Sequence, residues 1–266
     1  MINVGFIGAG NMGFAIMKGV CESSCSDKIS LFTYDIDDEK IKRLASMGVT
    51  PCESVKEVIE KCQYVFLAIK PQQLDEVLAE NGKYFTNEKV IVSICAGISG
   101  DYFKSVTVAD AKVVLVMPNT PLLLGEGATA LAKVEPTTDE EFNLVCEIFK
   151  SCGKIAVVDE NKMKEIIAVN GSSPAFIYLY SKAFIEYAKS VGIDENVAKE
   201  LFAQTLVGSA KMITDSGYTI DELITMVSSK GGTTIAGLEK LREGNLEGTV
   251  SKCCKACVNR AYELSK

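Results

Sequence analysis

Gly8-Ala9-Gly10-Asn11-Met12-Gly13 stands directly after the strand-like run Ile2 to Ile7 and directly before the helix-period run Met12 to Val20. In such a turn the first glycine permits the tight reversal and the second lets backbone approach a pyrophosphate. The third packs the helix close to the strand. The free amides at the helix N-terminus then face the anion. Gly-x-Gly-x-x-Gly alone is a weak signal, and its surroundings strengthen it. A strand precedes it, a helix follows, and an acid, Asp35, ends the next strand 22 residues past Gly13.

Working outward, Ile29 to Tyr34, Tyr64 to Ile69, Val90 to Ile94 and Val113 to Met117 also read as strands. Ala128 to Ala132 and Ile155 to Val158 can extend the sheet. Asp37 to Ser46 and Ser54 to Lys61 carry helix-period spacing. Continuously apolar strands separated by helices imply a doubly wound parallel sheet covered on both faces. After Asp159 the pattern changes. Residues 161–266 hold a single proline, Pro174, and no alternating strand. Met163 to Val169, Ala175 to Val191, Glu195 to Asp215, Ile220 to Val227, Thr234 to Leu241 and Val250 to Leu264 read as helices. The boundary lies near Val158–Asn161, giving an α/β domain over 1–159 and a helical domain over 160–266. About 100 helical residues make a small unit to close its own core, so a homodimer through this domain is expected.

The chain has 266 residues, 47% hydrophobic and 24% charged, with a formal charge of −7. That fits a globular enzyme, and the absence of a basic block argues against nucleic acid as a partner. No run approaches the roughly 18 apolar residues of a membrane span, and the N-terminus lacks a basic leader. The expectation is a cytoplasmic protein without membrane contact. Ten cysteines and no histidine are present. In a reducing compartment cysteine reads as a small buried hydrophobe, and Cys253-Cys254-Lys255-Ala256-Cys257 lacks the second pair that zinc would need. No metal is expected.

A carboxylate at Asp35 accepts hydrogen bonds from ribose hydroxyls and repels a 2′-phosphate. Ile36, Asp37, Asp38 and Glu39 follow, with no cation before Lys40, which favours NADH over NADPH. Ala68-Ile69-Lys70-Pro71 ends the third strand and Cys95-Ala96-Gly97 the fourth, where open parallel sheets hold ligands. Lys70 reads equally as a surface lysine or a cofactor contact.

Ser228-Ser229-Lys230-Gly231-Gly232-Thr233-Thr234-Ile235-Ala236-Gly237-Leu238 sets hydroxyls and a glycine pair before an apolar helix. Inward amides, a helix N-terminus and the Ser229, Thr233 and Thr234 hydroxyls suit a carboxylate, although an ordinary N-cap has the same composition. Asn170-Gly171-Ser172-Ser173-Pro174 interrupts a helical stretch, and a helix running through Pro174 would leave the Asn170 carbonyl unpaired.

Five segments together resemble the pyrroline-5-carboxylate reductase family, in its order and over nearly the whole chain. They are Gly8–Gly13, Ala68–Pro71, Met117-Pro118-Asn119-Thr120-Pro121, Asn170–Ala175 and Ser228–Leu238, the last being closest to the family signature. The resemblance implies a Rossmann domain followed by an all-helical dimerisation domain whose helices interleave between subunits. It implies reduction of the cyclic imine 1-pyrroline-5-carboxylate to proline, the last step of proline biosynthesis, with NADH or NADPH. It places the substrate carboxylate on Ser229, Gly231, Gly232, Thr233 and Thr234, with Thr234 near the ring nitrogen as the catalytic residue. Gly8, Gly10, Asn11, Met12, Gly13, Asp35, Ala68, Lys70, Pro71, Cys95, Ala96 and Gly97 would line the dinucleotide. Two positions depart from the family pattern. Asp35-Ile36 stands where many members carry an Asn-Arg or Ser-rich segment suited to NADP, and the kink begins with Asn170 rather than Ser or Thr. The alternatives are another Rossmann imine or β-hydroxyacid reductase, for which Lys182 is the nearby lysine, and a non-catalytic dinucleotide sensor.

Overall fold

The computed structural model describes residues 1–265. Two compact units emerge: residues 1–174 with the chain from Cys257 onward, and Ala175–Ala256 between them.

In the first unit, β1 (Ile2–Ile7), α1 (Asn11–Cys21), β2 (Ile29–Tyr34), α2 (Asp38–Ala45), β3 (Thr50–Pro51), α3 (Val55–Lys61), β4 (Tyr64–Leu67) and α4 (Pro71–Asn81) form the first half. β5 (Val90–Ser93), α5 (Gly100–Val106), β6 (Lys112–Met117), β7 (Gly127–Val134), α6 (Asp139–Lys150) and β8 (Gly153–Val157) complete the sheet. The strand order is β3-β2-β1-β4-β5-β6-β7-β8. Chain order reverses between β1 and β4, the place where open α/β sheets generally take their ligands.

Every residue of β4 and β5 is buried, as expected of strands covered on both faces. One face packs Phe6, Phe66, Val92 and Val116 against Ile16, Met17 and Val20 of α1 and Phe149 of α6. Phe6 and Phe66 stack with centroids 4.4 Å apart. The other face packs Ile7, Leu67, Ile91 and Leu115 against Leu74 of α4 and Phe103 of α5.

The sheet differs from the all-parallel expectation at its last two strands, since β8 runs parallel to the reversed β7. β7 runs antiparallel to β6, with Leu115 opposite Ala132. The connection spans only residues 118–126. A parallel crossover takes about a dozen residues or more, so this short link can only reverse the chain. Its turn closes at Gly125, whose φ of +76° suits glycine. β3 was not visible in the sequence, being two residues paired to Phe32 and Thr33. Helices α4, α5 and α6 were also missed. For α6 the signal was present, because Thr138 and Glu141 form a capping box before an apolar run. Met163 to Val169, read as a helix, is instead irregular, with 3-10 turns at Glu160–Lys162 and Ile166–Ala168.

The second unit carries most of α7 (Ser173–Ser190), then α8 (Glu195–Asp215), α9 (Ile220–Met226), α10 (Thr233–Glu243) and the first part of α11 (Leu246–Glu263). Phe184 of α7 stacks on Phe202 of α8 at 4.4 Å, with Tyr180 edge-on to Phe184 at 4.9 Å. Beyond that cluster little is enclosed. Within residues 175–256, Ala188 is the one buried hydrophobic residue, and α8 buries none across 21 positions. Among the described residues no helix is long and apolar enough to cross a membrane.

Candidate active site

Gly8 adopts φ +104°, outside the reach of ordinary L residues, and its N–H donates to Tyr34 O at 2.8 Å. A Cβ on Gly8 would lie 2.5 Å from Ala68 O, and one on Gly13 would lie 2.5 Å from Gly8 O. The turn therefore folds against β4 and α1 with no room for a methyl at either place. Gly10 differs. A Cβ there would meet nothing within 4 Å, so the backbone at this position borders open space. Asn11, Met12 and Gly13 form the first turn of α1, whose amides lack acceptors one turn back. That combination fits a dinucleotide pyrophosphate.

Asp35 closes the other side. Its Oδ2 accepts from Ala9 N–H at 2.6 Å and its Oδ1 from Asp37 N–H at 2.9 Å. An ionised carboxylate has about four acceptor positions, so capacity remains for further donors. Lys40 lies closer than its sequence position suggested, with Nζ 3.6 Å from Asp35 Oδ1 and 3.3 Å from Asp37 Oδ2.

The third and fourth strand ends come together through Cys95. Its thiol donates toward Ile69 O at 3.3 Å and Leu67 O at 3.6 Å, and its N–H donates to Ser93 Oγ. Burial pushes the Cys95 thiol up to about 11, so at neutral pH it stays protonated and serves as a donor. Ala96 is half-buried beside it. Gly97 takes φ +82°, which disfavours a side chain, and lies against the end of α11, with Ala261 O 3.4 Å from where a Cβ would stand. Lys70 is exposed at the N-cap position of α4, and Pro71 occupies its first turn, where the missing N–H costs no hydrogen bond.

Beyond the ends of β5 and β6 lies a cavity of about 520 Å³, walled by Ser93, Cys95, Gly97, Met117, Glu160 and Tyr262, among others. Glu160 Oε1 accepts from Gly100 N–H at 2.9 Å, and Tyr262 donates to Glu165 Oε1 at 2.7 Å. The segment after β8 and the end of α11 are tied in this way to the rim of the sheet.

At the kink the structure corrects the sequence reading. No helix continues into Pro174 from residue 170. α7 starts at Ser173, which puts the proline in the first turn. The Asn170 carbonyl is not unpaired either, because Asn119 Nδ2 donates to it at 3.2 Å. Asn170 Nδ2 in turn donates to Met117 O at 2.7 Å and Ala128 O at 3.0 Å, while Asn119 Oδ1 accepts from Ala128 N–H. The two amides interlock the ends of β6 and β7. Cys257 donates to Ser172 Oγ at 3.1 Å. All ten cysteines are free thiols. Among the described residues no group of three or more acids or thiols is arranged to hold a metal.

The Ser229 to Thr234 segment lies in the helical unit. Gly231 takes φ +71°, Gly232 is the N-cap of α10, and Gly232 N–H donates to Ser229 O at 2.9 Å. A Cβ on Gly232 would fall 2.5 Å from Ser229 Oγ. Thr233 and Thr234 open the helix and are exposed, with their amides in its first turn. No side chain supplies an N-cap hydrogen bond there, unlike Thr219 at α9, whose hydroxyl accepts from Glu222 N–H.

Residues 160–264 match the sequence model described as pyrroline-5-carboxylate reductase dimerisation, and residues 3–97 match one described as NADP oxidoreductase coenzyme F420-dependent. A pyrroline-5-carboxylate reductase of Pisum sativum is 33% identical over 262 residues, covering 98% of this chain and 96% of that one. The Escherichia coli K12 enzyme of the same name is 32% identical, covering 99% and 98%. The chain belongs to the pyrroline-5-carboxylate reductase family. Solved members superpose along the whole length. The Plasmodium falciparum reductase, crystallised with NADP bound, gives a TM-score of 0.90 at 28% identity, covering 100% of this chain and 98% of that one. The Coxiella burnetii reductase gives 0.90 at 30%, covering 100% and 99%. As a member of the family this chain is a nicotinamide-dependent oxidoreductase.

Sequence reasoning gave no role to Lys40, Asn119, Asn170, Glu160 or Tyr262. For Asn119 and Asn170 the motifs were legible but their pairing was not, since they lie 51 positions apart.

Proposed function

We propose that this reductase transfers a hydride from NADH to the C=N carbon of 1-pyrroline-5-carboxylate and that the nitrogen gains a proton, giving proline. One pairing carries the reading. A glycine turn with an acid at the ribose position occurs in the same chain as a Gly-Gly-Thr-Thr loop opening α10. When bound, NADH supplies the hydride. The chain supplies placement, and orienting two reactants can account for roughly 7–11 kcal/mol of a barrier at best. The loop from Ser229 to Thr234 holds the substrate carboxylate with backbone amides and hydroxyls, fixing the ring. The Thr234 hydroxyl orients the imine nitrogen and relays its proton through water. An iminium forms in water near neutral pH, so a chain without histidine needs no strong side-chain acid.

On this reading residues 1–159 bind the dinucleotide and residues 160–266 bind substrate and form a homodimer. Ten free thiols suit a reducing compartment such as the cytoplasm. Asp35 favours NADH, because its carboxylate is fixed by two backbone amides and cannot withdraw from a 2′-phosphate.

Following NADH and NADPH oxidation in parallel with pyrroline-5-carboxylate tests the reaction and the preference together. Faster oxidation of NADH is expected. A preference for NADPH would keep the reaction and remove the role given to Asp35, and no oxidation of either would remove the reaction. Thr234→Ala should lower turnover by about 10- to 100-fold without changing the melting temperature, in the lower range for a positioned proton-transfer group. Turnover at the wild-type rate would discard that role.

A further inference from the structure

We propose that Lys40 determines cofactor specificity by pairing with the 2′-phosphate of NADPH, so that NADPH serves as a second, salt-sensitive cofactor. The inference rests on the nicotinamide reading above.

The argument starts from the direction of helical side chains. Lys40 is the third residue of α2, and side chains there lean back toward the N-terminus. The ammonium therefore returns over the first turn. It sits 3.6 Å from Asp35 Oδ1 and 3.3 Å from Asp37 Oδ2, although in sequence it follows Ile36 and three acids, Asp37, Asp38 and Glu39. The neighbouring cations are committed elsewhere. Lys42 pairs with Glu39 at 3.0 Å, and the Arg43 guanidinium lies 3.7 Å from the centre of the Phe14 ring.

Mobility separates the partners. The Asp35 side chain is 10% exposed and anchored by two backbone amides, so it stays where a ribose 2′ position would be. Lys40 is 44% exposed on a long flexible stem. A 2′-phosphate brings roughly two negative charges and several acceptor oxygens, for which an ammonium can exchange its carboxylate partners. Asp35 and Asp37 still oppose the phosphate, so NADPH binds less tightly than NADH but is not shut out. Without Lys40 both carboxylates would face the phosphate uncompensated. NADH, which has hydroxyls there, would feel little change.

Calorimetric titration of NAD+ and NADP+ onto wild type, Lys40→Met and Arg43→Met separates these effects without any turnover. Methionine keeps most of the apolar stem. Lys40→Met should weaken NADP+ by about 10-fold, the scale of one charge-assisted contact, and NAD+ by less than about 2-fold. Raising ionic strength shortens screening to about 8 Å at 0.15 M, so wild type should lose NADP+ faster than NAD+ as salt rises. In Lys40→Met that difference should shrink. KM for NADPH in the imine assay should follow the binding constant while kcat stays near wild type. Equal losses for both dinucleotides, no loss, no NADP+ binding by wild type, or a selective loss in Arg43→Met instead would each overturn the assignment. Wild-type protein that binds neither dinucleotide would overturn the nicotinamide reading as well, which distinguishes the two failures.

Discussion

Gly8→Ala is expected to weaken dinucleotide binding by about 100-fold or more and to lower the melting temperature. Two costs combine. At φ +104° an L residue lies beyond the small left-handed helical region, a strain on the order of 1–3 kcal/mol. The added methyl would also sit 2.5 Å from Ala68 O and 2.8 Å from Ala68 C. These are backbone atoms, and they cannot yield freely because Ala68 N–H donates to Ile7 O at 2.9 Å and Ile7 pairs with Leu67 across the sheet. Relief therefore displaces the turn proposed to frame the pyrophosphate. A companion variant, Gly10→Ala, separates folding from binding. Its methyl would meet no protein atom within 4 Å, so it should melt like wild type and still lose affinity by about 10-fold or more. Calorimetric titration of NAD+ and a thermal melt on both variants decide the matter. A Gly10→Ala protein that binds NAD+ like wild type would mean the pyrophosphate does not pass over this turn.

Leu179→Glu combined with Leu201→Glu should dissociate the dimer and take activity with it. The helical unit leaves Leu179 70% exposed and Leu201 65% exposed, with Ile177, Tyr178, Tyr187 and Ile213 also open to water. A unit of helices whose one buried hydrophobic residue is Ala188 has no core of its own, and its apolar surface needs a partner. A second copy is the partner that a region matching the dimerisation model of its family implies. Each leucine is worth about 1.5–3 kcal/mol when buried, and a carboxylate in its place adds a desolvation cost. Together that is at least about 3 kcal/mol, or about 100-fold in dimer dissociation. Sedimentation velocity across a concentration series reads the shift directly. A variant that stays dimeric at low micromolar concentration and turns over normally would place the interface elsewhere.

Much of the first unit was legible because it rests on short-range rules. Glycine at Gly8 and Gly13 follows from backbone geometry within one turn, and the β1, β2, β4, β5 and β6 runs are apolar because both sheet faces are covered. α8 matched its sequence bounds, Glu195–Asp215, because Asp194 caps it and an extended helix-period run follows. Where reading failed, the cause was distance or shortness. β3 is two residues long and depends on β2 for its existence, and α4 begins at a proline that usually signals a break. The irregular stretch after β8 carries helix-like composition, yet its polar groups, such as Glu160 on Gly100 N–H, bond to the α/β unit instead of to a helix.

What the sequence by itself determined, then, is an α/β half followed by a helical half, the family, and the residue types proposed to meet a dinucleotide and a small carboxylate. Those follow from periodicity, capping and backbone freedom, which act over a few residues. Only the tertiary structure decided which of those groups meet. It reversed β7 through a link too short to cross over, gave the Asn170 carbonyl to Asn119, and drew Lys40 back onto Asp35. The last two outcomes depend on where a donor or a charge lies in space. A distance of a few ångströms between side chains sets those energies, and separation along the chain does not reveal it.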